Sequence, residues 1–369
     1  MLYNVIVLFC VDEMERLQYM KSVHARFGDE HTITRENIYE DVIDLYREGV
    51  IVGECPISIE FKGEMGQDLG GLQRDMFSEF WDIVYERFFE GATTLSPMIH
   101  PQLDLTVYPI FGRIISHGYL AVGILPIRIA LPSLVCMLLG PSVFIPSHVV
   151  INSFIEYVST SERRILKDAL TFDKEGVFPQ SVQDNLLNVL SRFGCRLLPK
   201  PSNLMELIEQ VARYEFIAKP SAAISQINSE IPLNHRNFWN GKTANDLWEL
   251  YRRLGVTSSK VISLLRFPGQ YTQTEARIGG YLTTFIGNMQ TAQLSTFLRF
   301  VTGSSVCIVK SIDVSFNSLS GLARRPIAHT CDPLLELPIT YINYSDFHSE
   351  FQAILSETNK EFSFIIDAV

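Results

Sequence analysis

One break in the sequence pattern constrains the fold more than any other feature of the chain. From Arg266 to Thr274 the residues lose their helical period, because Pro268-Gly269 stops a helix and the polar residues after it follow no pattern. At 369 residues the chain is also longer than one hydrophobic core usually supports. The sequence therefore predicts three parts: a large unit over 1–268, a hinge over 269–275 and a small unit over 276–369.

The first unit is predicted to be mainly helical. Apolar residues recur at helical spacing over most of its length, whereas residues 56–61 alternate with the period of a strand. A glycine-rich turn over 63–71 follows that strand, and a second strand is predicted at 196–198. The predicted helices are 33–49, 72–89, two buried helices within 111–140 broken by Gly-Tyr and Leu-Pro, 148–158, 161–170, 181–193, 203–217, 243–254 and 257–265.

The second unit has a different mixture of signals. Helical patterns cover 276–288, 291–300 and 345–357, and short strand patterns lie at 305–309 and 312–316. A mainly helical unit joined to a small α/β unit predicts an α+β fold with two lobes.

Composition narrows the class of protein. The formal net charge of −10 argues against a nucleic-acid partner, because binding phosphates needs a face rich in lysine and arginine. Two apolar stretches, 1–11 and 119–146, are interpreted as a buried strand and as core helices rather than as a signal peptide or a membrane span. We therefore expect no membrane partner.

Six cysteines are scattered along the chain, at 10, 55, 136, 195, 307 and 331. Their spacing fits neither a zinc site nor a disulfide framework, so we expect no metal and a reducing compartment, cytoplasmic or nuclear. Five lie in apolar or helical surroundings, where a thiol is a small, inert apolar group. Cys331 instead lies in a polar loop bounded by prolines, where His329, Arg324 and Arg325 supply cations that would favour a thiolate. Its spacing alone leaves a structural and a nucleophilic role open.

Motifs around Cys331 carry more information than its spacing. Residues 300–305 read Phe-Val-Thr-Gly-Ser-Ser, residues 328–331 read Ala-His-Thr-Cys, and residues 335–338 read Leu-Glu-Leu-Pro. The first unit contains two further motifs. Residues 59–74 combine a strand, a glycine turn and the start of a helix, and residues 111–114 read Phe-Gly-Arg-Ile. These motifs resemble HECT-type ubiquitin-protein ligase catalytic domains from about 34 to 357, in the family's order. The chain looks most similar to uncharacterised or cell-cycle-type HECT-like members.

The resemblance implies a bilobal HECT fold, with a large, mainly helical N-lobe and a small α/β C-lobe. Ubiquitin would pass from a conjugating enzyme, bound to a small N-lobe subdomain at about 145–205, to Cys331 as a thioester. A lysine of a protein substrate would then accept it. No organic cofactor is implied. His329, Thr330 and Asp332 are candidate supporting residues, and the base for the lysine would be Asp332 or a carboxylate of the other lobe.

Three departures from the family pattern bear on that mechanism. Asp332-Pro333 stands where the family has Phe-Asn, and the interval between Thr302 and Cys331 is shorter than usual. Ile366 occupies a place near the C-terminus where the family often has phenylalanine. These differences motivate an alternative, in which the chain is a catalytically weak HECT-like scaffold that binds conjugating enzyme or ubiquitin.

Other functional interpretations are less favoured. A Cys-His protease would use His329 as the base for Cys331, but residues two apart on one strand do not readily face each other, so a hydrogen bond that shapes the loop is preferred. The glycines of 63–71 lack the Lys-Ser/Thr of a phosphate loop. Glu64 and Arg74 are expected to be structural ion partners at the edge of the core, and Phe154, Tyr157 and Phe178 are expected to pack in it.

Overall fold

The structure is a computed structural model that describes residues 14–19, 30–47, 57–64 and 70–358. The strand predicted at 1–11, Cys10, Cys55 and the position of Ile366 lie outside these ranges. Fifteen named α-helices occur in the described ranges from residue 30 onwards. They are α1 Ile38–Arg47, α2 Gly71–Phe88, α3 Tyr108–Val122, α4 Leu131–Leu139, α5 Ser147–Tyr157, α6 Thr160–Ala169, α7 Gln180–Ser191, α8 Leu204–Arg213, α9 Ser221–Ser229, α10 Leu233–Trp239, α11 Ala244–Leu254, α12 Ser258–Leu264, α13 Gln273–Gly287, α14 Thr291–Thr302 and α15 Tyr344–Thr358.

The strands form three small sheets. They are β1 Glu30–Ile33, β2 Ser58–Phe61, β3 Phe89–Gly91, β4 Leu95–Pro97, β5 Leu265–Arg266, β6 Ile312–Asn317, β7 Ile327–His329 and β8 Leu334–Pro338. β1 pairs with β2 in parallel, and β3 pairs with β4 in antiparallel. The other four form one mixed sheet in the order β5-β6-β8-β7, in which only the β7–β8 pair is antiparallel.

Two separate apolar cores underlie the two lobes. The first core runs from Ile33 to Leu254 and also includes Val306, with α2, α3 and α4 at its centre. The second core runs from Val261 to Leu355 and joins α12, α13, α14 and α15 to one face of the four-stranded sheet. A large helical unit and a small unit with a mixed sheet confirm the predicted α+β, bilobal class.

The division between the cores lies earlier than the predicted hinge at 269–275. Val261 is completely buried in the second core, and β5 pairs with β6 of the second unit. Phe267 packs on α13, where a methyl group added at Gly279 would lie 3.0 Å from its ring. Residues 256–268, assigned to the first lobe by sequence, therefore pack with the second lobe, and the connection is the segment 255–257 between α11 and α12. Apolar packing on both sides of Pro268-Gly269 explains the difference, because a local break in period does not show which core its neighbours join.

The predicted helices agree with the structure to within a few residues, but three other local predictions are wrong. Residues 196–198 form no strand; Leu197 and Leu198 are 60% and 48% exposed on a loop. Residues 305–309 form no strand either, since the Cys307 N–H donates to Leu254 O, at the end of α11, at 3.0 Å. Gly118-Tyr119 lies inside α3 rather than breaking it, and the helix ends at Gly123, whose φ is 80°.

Candidate active site

Cys331 lies at the tip of the hairpin formed by β7 and β8. In this antiparallel pair His329 is opposite Leu334, and residues 330–333 make the turn. Pro333 O accepts a hydrogen bond from the Asp313 N–H at 2.9 Å, which ties the turn to the start of β6. The hairpin therefore presents Cys331 on an anchored turn at one end of the sheet.

Exposure separates Cys331 from the other described cysteines. Cys331 is exposed, Cys195 is half-buried, and Cys136 and Cys307 are buried. Burial raises the pKa of the Cys136 thiol to about 11 and also raises that of Cys307, where nearby Lys260 partly opposes the effect. A thiolate is the nucleophilic form of cysteine, so the two buried thiols are poor nucleophiles.

His329 points along the hairpin. Its Nε2 lies 2.8 Å from Glu336 Oε1, on the neighbouring strand, so the ring is engaged in a cross-strand hydrogen bond. From the sequence, we expected His329 to make a hydrogen bond that shapes the loop, and this contact is of that kind. It holds β7 to β8 directly before the turn that carries Cys331.

The other predicted cations and acids near Cys331 are in different environments. Arg324 makes a two-bond ion pair with Asp346, at 2.7 and 2.8 Å, and also contacts Glu350, so its charge is directed at α15 rather than at the thiol. Arg325 and Asp332 are exposed. Thr330 is buried, and its side chain faces the other lobe.

The first turn of α2, in the first lobe, lies against the Cys331 loop. Gly70 has a φ of 98°, a conformation that favours glycine, and α2 begins at the next residue. A methyl group added at Gly71 would lie 2.6 Å from Thr330 Oγ1 and 3.2 Å from Cys331 Sγ. Only a residue without a side chain leaves room for this approach. The first turn of α2 therefore lies beside the sulfur.

Arg74, one turn further along α2, binds the main chain of the second lobe. Its Nε donates to Thr302 O at 2.8 Å, and its NH2 group donates to Thr330 O. Ser78, on the next turn, donates to Gly303 O at 3.2 Å and accepts from the Ser305 N–H at 3.1 Å. One face of α2 thus holds both the loop that precedes Cys331 and the end of α14.

A buried ionic cluster lies beside this face. Asp75 is completely buried and accepts from Arg35 at 2.6 Å and from Arg299, on α14, at 2.7 Å. Arg299 also binds Glu79 at 2.7 Å. Burial acts to lower the pKa of Arg299, but Asp75 and Glu79 outweigh it and raise that pKa. The cluster therefore joins the two lobes through paired charges.

The sequence did not reveal the contact between α2 and the Cys331 loop. Glu64 does form an ion pair, with Arg35 at 2.5 Å, whereas Arg74 reaches carbonyl oxygens more than 220 residues away in the chain. The adjacent glycines at 70 and 71 were interpreted only as a turn. Their run just before a helix carrying Arg74 is the one signal that pointed to a close approach of another segment.

Two further properties bear on the class of protein. No group of three or more histidine, cysteine, aspartate or glutamate side chains that could hold a metal ion occurs in the described ranges. The same ranges contain no helix with both the length and the apolar character needed to cross a bilayer.

These features define a two-lobe α+β protein with an exposed thiol at the junction of its lobes. The HECT-domain family model, described as ubiquitin-transferase, matches residues 194–365. This match supports the resemblance to HECT domains seen in the motifs. The matched part includes α12 to α14, the four-stranded sheet and Cys331. No curated protein matches the chain.

Proposed function

We propose that the protein is a ubiquitin-protein ligase that carries ubiquitin as a thioester on Cys331. The observation that carries the proposal is the exposed thiol of Cys331, on a hairpin turn inside the part of the chain that matches the HECT family model. The buried Cys136 and Cys307 are unsuited to accept a protein. Asp332, the next residue after the thiol, is also exposed, which leaves this side of the turn open to a partner.

The proposed reaction has two acyl transfers. The Cys331 sulfur attacks the carbonyl carbon of the thioester on the conjugating enzyme, a new C–S bond forms, and the enzyme's own C–S bond breaks with its cysteine sulfur leaving as thiolate. A substrate lysine then attacks the new thioester, an amide C–N bond forms, and the Cys331 thiolate leaves. The first transfer exchanges one thioester for another at little cost, and the second is driven by the stability of the amide.

The lysine must lose a proton to become a nucleophile. Asp332 is the carboxylate next to Cys331 in the chain, and it is exposed, so we propose it as the acceptor of that proton. Asp332→Asn should slow transfer to lysine about tenfold while leaving transfer from the conjugating enzyme unchanged. No effect on transfer to lysine would assign the base role to a carboxylate of the other lobe or to solvent, and an equal effect on both transfers would assign Asp332 a role in the shape of the loop. His329 and Thr330 are proposed to support the loop shape rather than to transfer protons.

A conjugating enzyme is proposed to bind the subdomain at about 145–205. Phe154, Tyr157 and Phe178 are buried and pack in the core, as expected. The exposed apolar side chains lie on both sides of α7 instead: Val177, 85% exposed, precedes it, and Leu197 and Leu198 follow it. The Gln183 side chain donates to Pro199 O at 3.1 Å, which holds the later segment near the first turn of α7. Val177→Asp and Leu197→Asp should each weaken binding of conjugating enzyme in a titration.

The two transfers need different lobe arrangements, and we propose 255–257 as the hinge between them. Lys260 donates to Gly255 O at 3.0 Å and also to Arg253 O, so it restrains this segment at the end of α11. A test of the hinge predicted at 269–275 would place proline at Gly269, Gln270 and Thr272. Proline at 272 would remove the N–H that binds Glu275 Oε2 in the cap of α13 and so would test helix stability instead.

The decisive experiment is a charging reaction with ubiquitin, activating enzyme, conjugating enzyme and ATP, run on a non-reducing gel. Wild type should give a ubiquitin adduct that thiol reductant removes. Cys331→Ser should give an adduct that survives reductant, because an oxyester replaces the thioester, and Cys331→Ala should give none. Cys195→Ala is the matched control and should charge like wild type. A reductant-sensitive adduct on Cys331→Ala would show that another cysteine carries ubiquitin.

The alternative function is a scaffold that binds conjugating enzyme or ubiquitin without forming a thioester. The observation that favours it is Asp332-Pro333 in place of the family's Phe-Asn directly after the cysteine. It predicts binding in the titration and no adduct at any time in the charging reaction. Restoring Phe-Asn by Asp332→Phe with Pro333→Asn should then produce an adduct.

A further inference from the structure

The guanidinium of Arg74 binds carbonyl oxygens at two separate places in the second lobe. Thr302 O is at the end of α14, and Thr330 O belongs to the residue before Cys331. Arg74 itself is on α2 of the first lobe. One side chain therefore fixes the main chain of the Cys331 loop relative to a helix of the opposite lobe.

Neighbouring contacts limit how this face can move. Gly303 has a φ of 74°, and a methyl group added to it would lie 2.6 Å from Gly71 O. Gly71 in turn approaches Thr330 and Cys331 so closely that its own added methyl group would clash. The two segments of the chain thus meet backbone to backbone, and the long polar side chain of Arg74 spans the contact.

We propose that Arg74 is a positioning residue that holds the Cys331 loop against the first turn of α2 for the transfer of ubiquitin to lysine. The inference rests on the proposed function and adds to it the residue that sets the geometry of the second transfer. Planar guanidinium donors bind two acceptors in a fixed fork, so arginine fixes the direction of the loop as well as its distance. Lysine, with one ammonium group, cannot reproduce both directions.

The lobe arrangement in the structure fits the second transfer better than the first. The sulfur that would carry the thioester lies beside the first turn of α2, at the partly positive end of that helix. Charge that develops on the thioester oxygen near this end would be stabilised. Receipt of ubiquitin from the conjugating enzyme needs Cys331 to reach a second protein, which the hinge at 255–257 serves.

Substitutions at two residues, Arg74 and Gly71, test the arrangement by different physical means. Arg74→Ala removes the hydrogen bonds to Thr302 O and Thr330 O, and Arg74→Lys keeps the charge without the fork. Gly71→Ala leaves Arg74 in place but puts a methyl group 2.6 Å from Thr330 Oγ1, so it opposes the approach of the loop. The matched control is Arg87→Ala, on the same helix, because Arg87 is half exposed and pairs only loosely with Glu40 at 3.2 Å.

The first measurement needs no ubiquitin. Alkylation by iodoacetamide is followed at Cys331 by peptide mass spectrometry, with Cys195 as the internal reference. Arg74→Ala and Gly71→Ala should each raise the Cys331 rate severalfold relative to Cys195, and Arg87→Ala should not change it. Unchanged Cys331 reactivity in both variants would overturn the inference whether or not the protein is a ligase.

The second measurement separates the two transfers in single turnovers. Pre-charged Arg74→Ala and Gly71→Ala should discharge to free lysine about tenfold to a hundredfold more slowly than wild type, the cost of misplacing a reacting group by about 1 Å. Charging should fall less than threefold, and Arg74→Lys should lie between wild type and Arg74→Ala. Faster charging in Arg74→Ala would show that the contact is a brake and would overturn the inference. Failure of wild type to charge at all would instead overturn the proposed function, and the alkylation rates would still decide the role of Arg74.

Discussion

Cys307 and Cys331 are both cysteines of the second lobe, both lie outside helices and strands, and both lie on segments that reach the first lobe. The Cys307 N–H donates to Leu254 O of the first lobe at 3.0 Å, and its thiol is 1% exposed. Cys331 lies beside Gly71 of the first lobe, and its thiol is exposed. The segment around Cys307 meets the first lobe with apolar side chains such as Val306, whereas the segment around Cys331 meets it with carbonyl groups.

The difference shows how one interface can hold one buried and one exposed cysteine. Apolar burial at Cys307 favours the neutral thiol and raises its pKa. Polar main-chain contacts at Cys331 fix the backbone and leave the side chain facing outwards. Position near the lobe junction therefore does not decide whether a thiol is buried or exposed, and the type of contact does.

The largest expected effect is in thiol reactivity. In the folded protein, Cys331 should react with iodoacetamide at least about a hundredfold faster than Cys307, because only an opening of the structure exposes the buried thiol. Peptide mass spectrometry of a time course gives both rates, and denaturant should make them converge. Similar rates in the folded protein would contradict the comparison.

The ionic cluster should give the next largest effect. Arg299→Ala should lower the free energy of unfolding by about 3 kcal/mol, because it leaves the buried carboxylate of Asp75 with one partner instead of two. Chemical denaturation followed by circular dichroism gives the change. The control is Arg47→Ala, whose pair with Asp44 is well exposed and should contribute little. A loss as small as the control's would mean that the lobes are held mainly by apolar contacts.

Substituting the two cysteines should have unequal effects on stability. Cys307→Ser should lower the free energy of unfolding by about 2 kcal/mol, because it buries a hydroxyl among apolar groups of the second core. Cys331→Ser should change it by less than about 0.5 kcal/mol, as expected for an exposed site. Thermal melts of the two variants side by side measure both, and equal shifts would refute the assignment of one buried and one exposed thiol.

The smallest expected effect is on the free energy of unfolding contributed by the Arg324–Asp346 ion pair, and it depends on pH. The hydrogen bonds from Arg324 lower the pKa of Asp346 below its usual 3.8. The pair therefore contributes its full stability above about pH 4 and loses it as the pH falls through the lower, folded-state pKa. Arg324→Gln should cost less than about 1 kcal/mol at pH 7 and almost nothing near pH 2. A cost that is independent of pH would indicate packing by the arginine stem rather than the ion pair.

The fold was more predictable from the sequence than the site. Helices such as α2 and α14 have long periodic apolar faces, which a local pattern reveals. The false strand at 196–198 shows the limit, since apolar residues on an exposed loop give the same local signal as a strand. The boundary between the two cores differs from the predicted one for a related reason: whether Val261 joins one core or the other depends on contacts that no local pattern carries.

At the site, the exposure of Cys331 and the hydrogen bond of His329 could be predicted because their signals are local: a polar loop, nearby prolines and the two-residue spacing. The contact of Arg74 with Thr330 could not, because it joins residues 256 positions apart and its acceptor is a carbonyl oxygen. A main-chain acceptor leaves no mark on the residue type that carries it.

That property of Arg74 has a consequence for how the loop can diverge. Every amino acid has a carbonyl group, so replacing Thr330 or Thr302 leaves the acceptors of the arginine in place. The residues after Cys331 can then vary, as Asp332-Pro333 does, without loss of the grip on the loop. The residues that cannot be replaced are on the other side of the contact. They are Arg74 and the two glycines, Gly70 and Gly71. A library that randomises 333 and 334 should therefore yield many more active clones than one that randomises 70, 71 and 74.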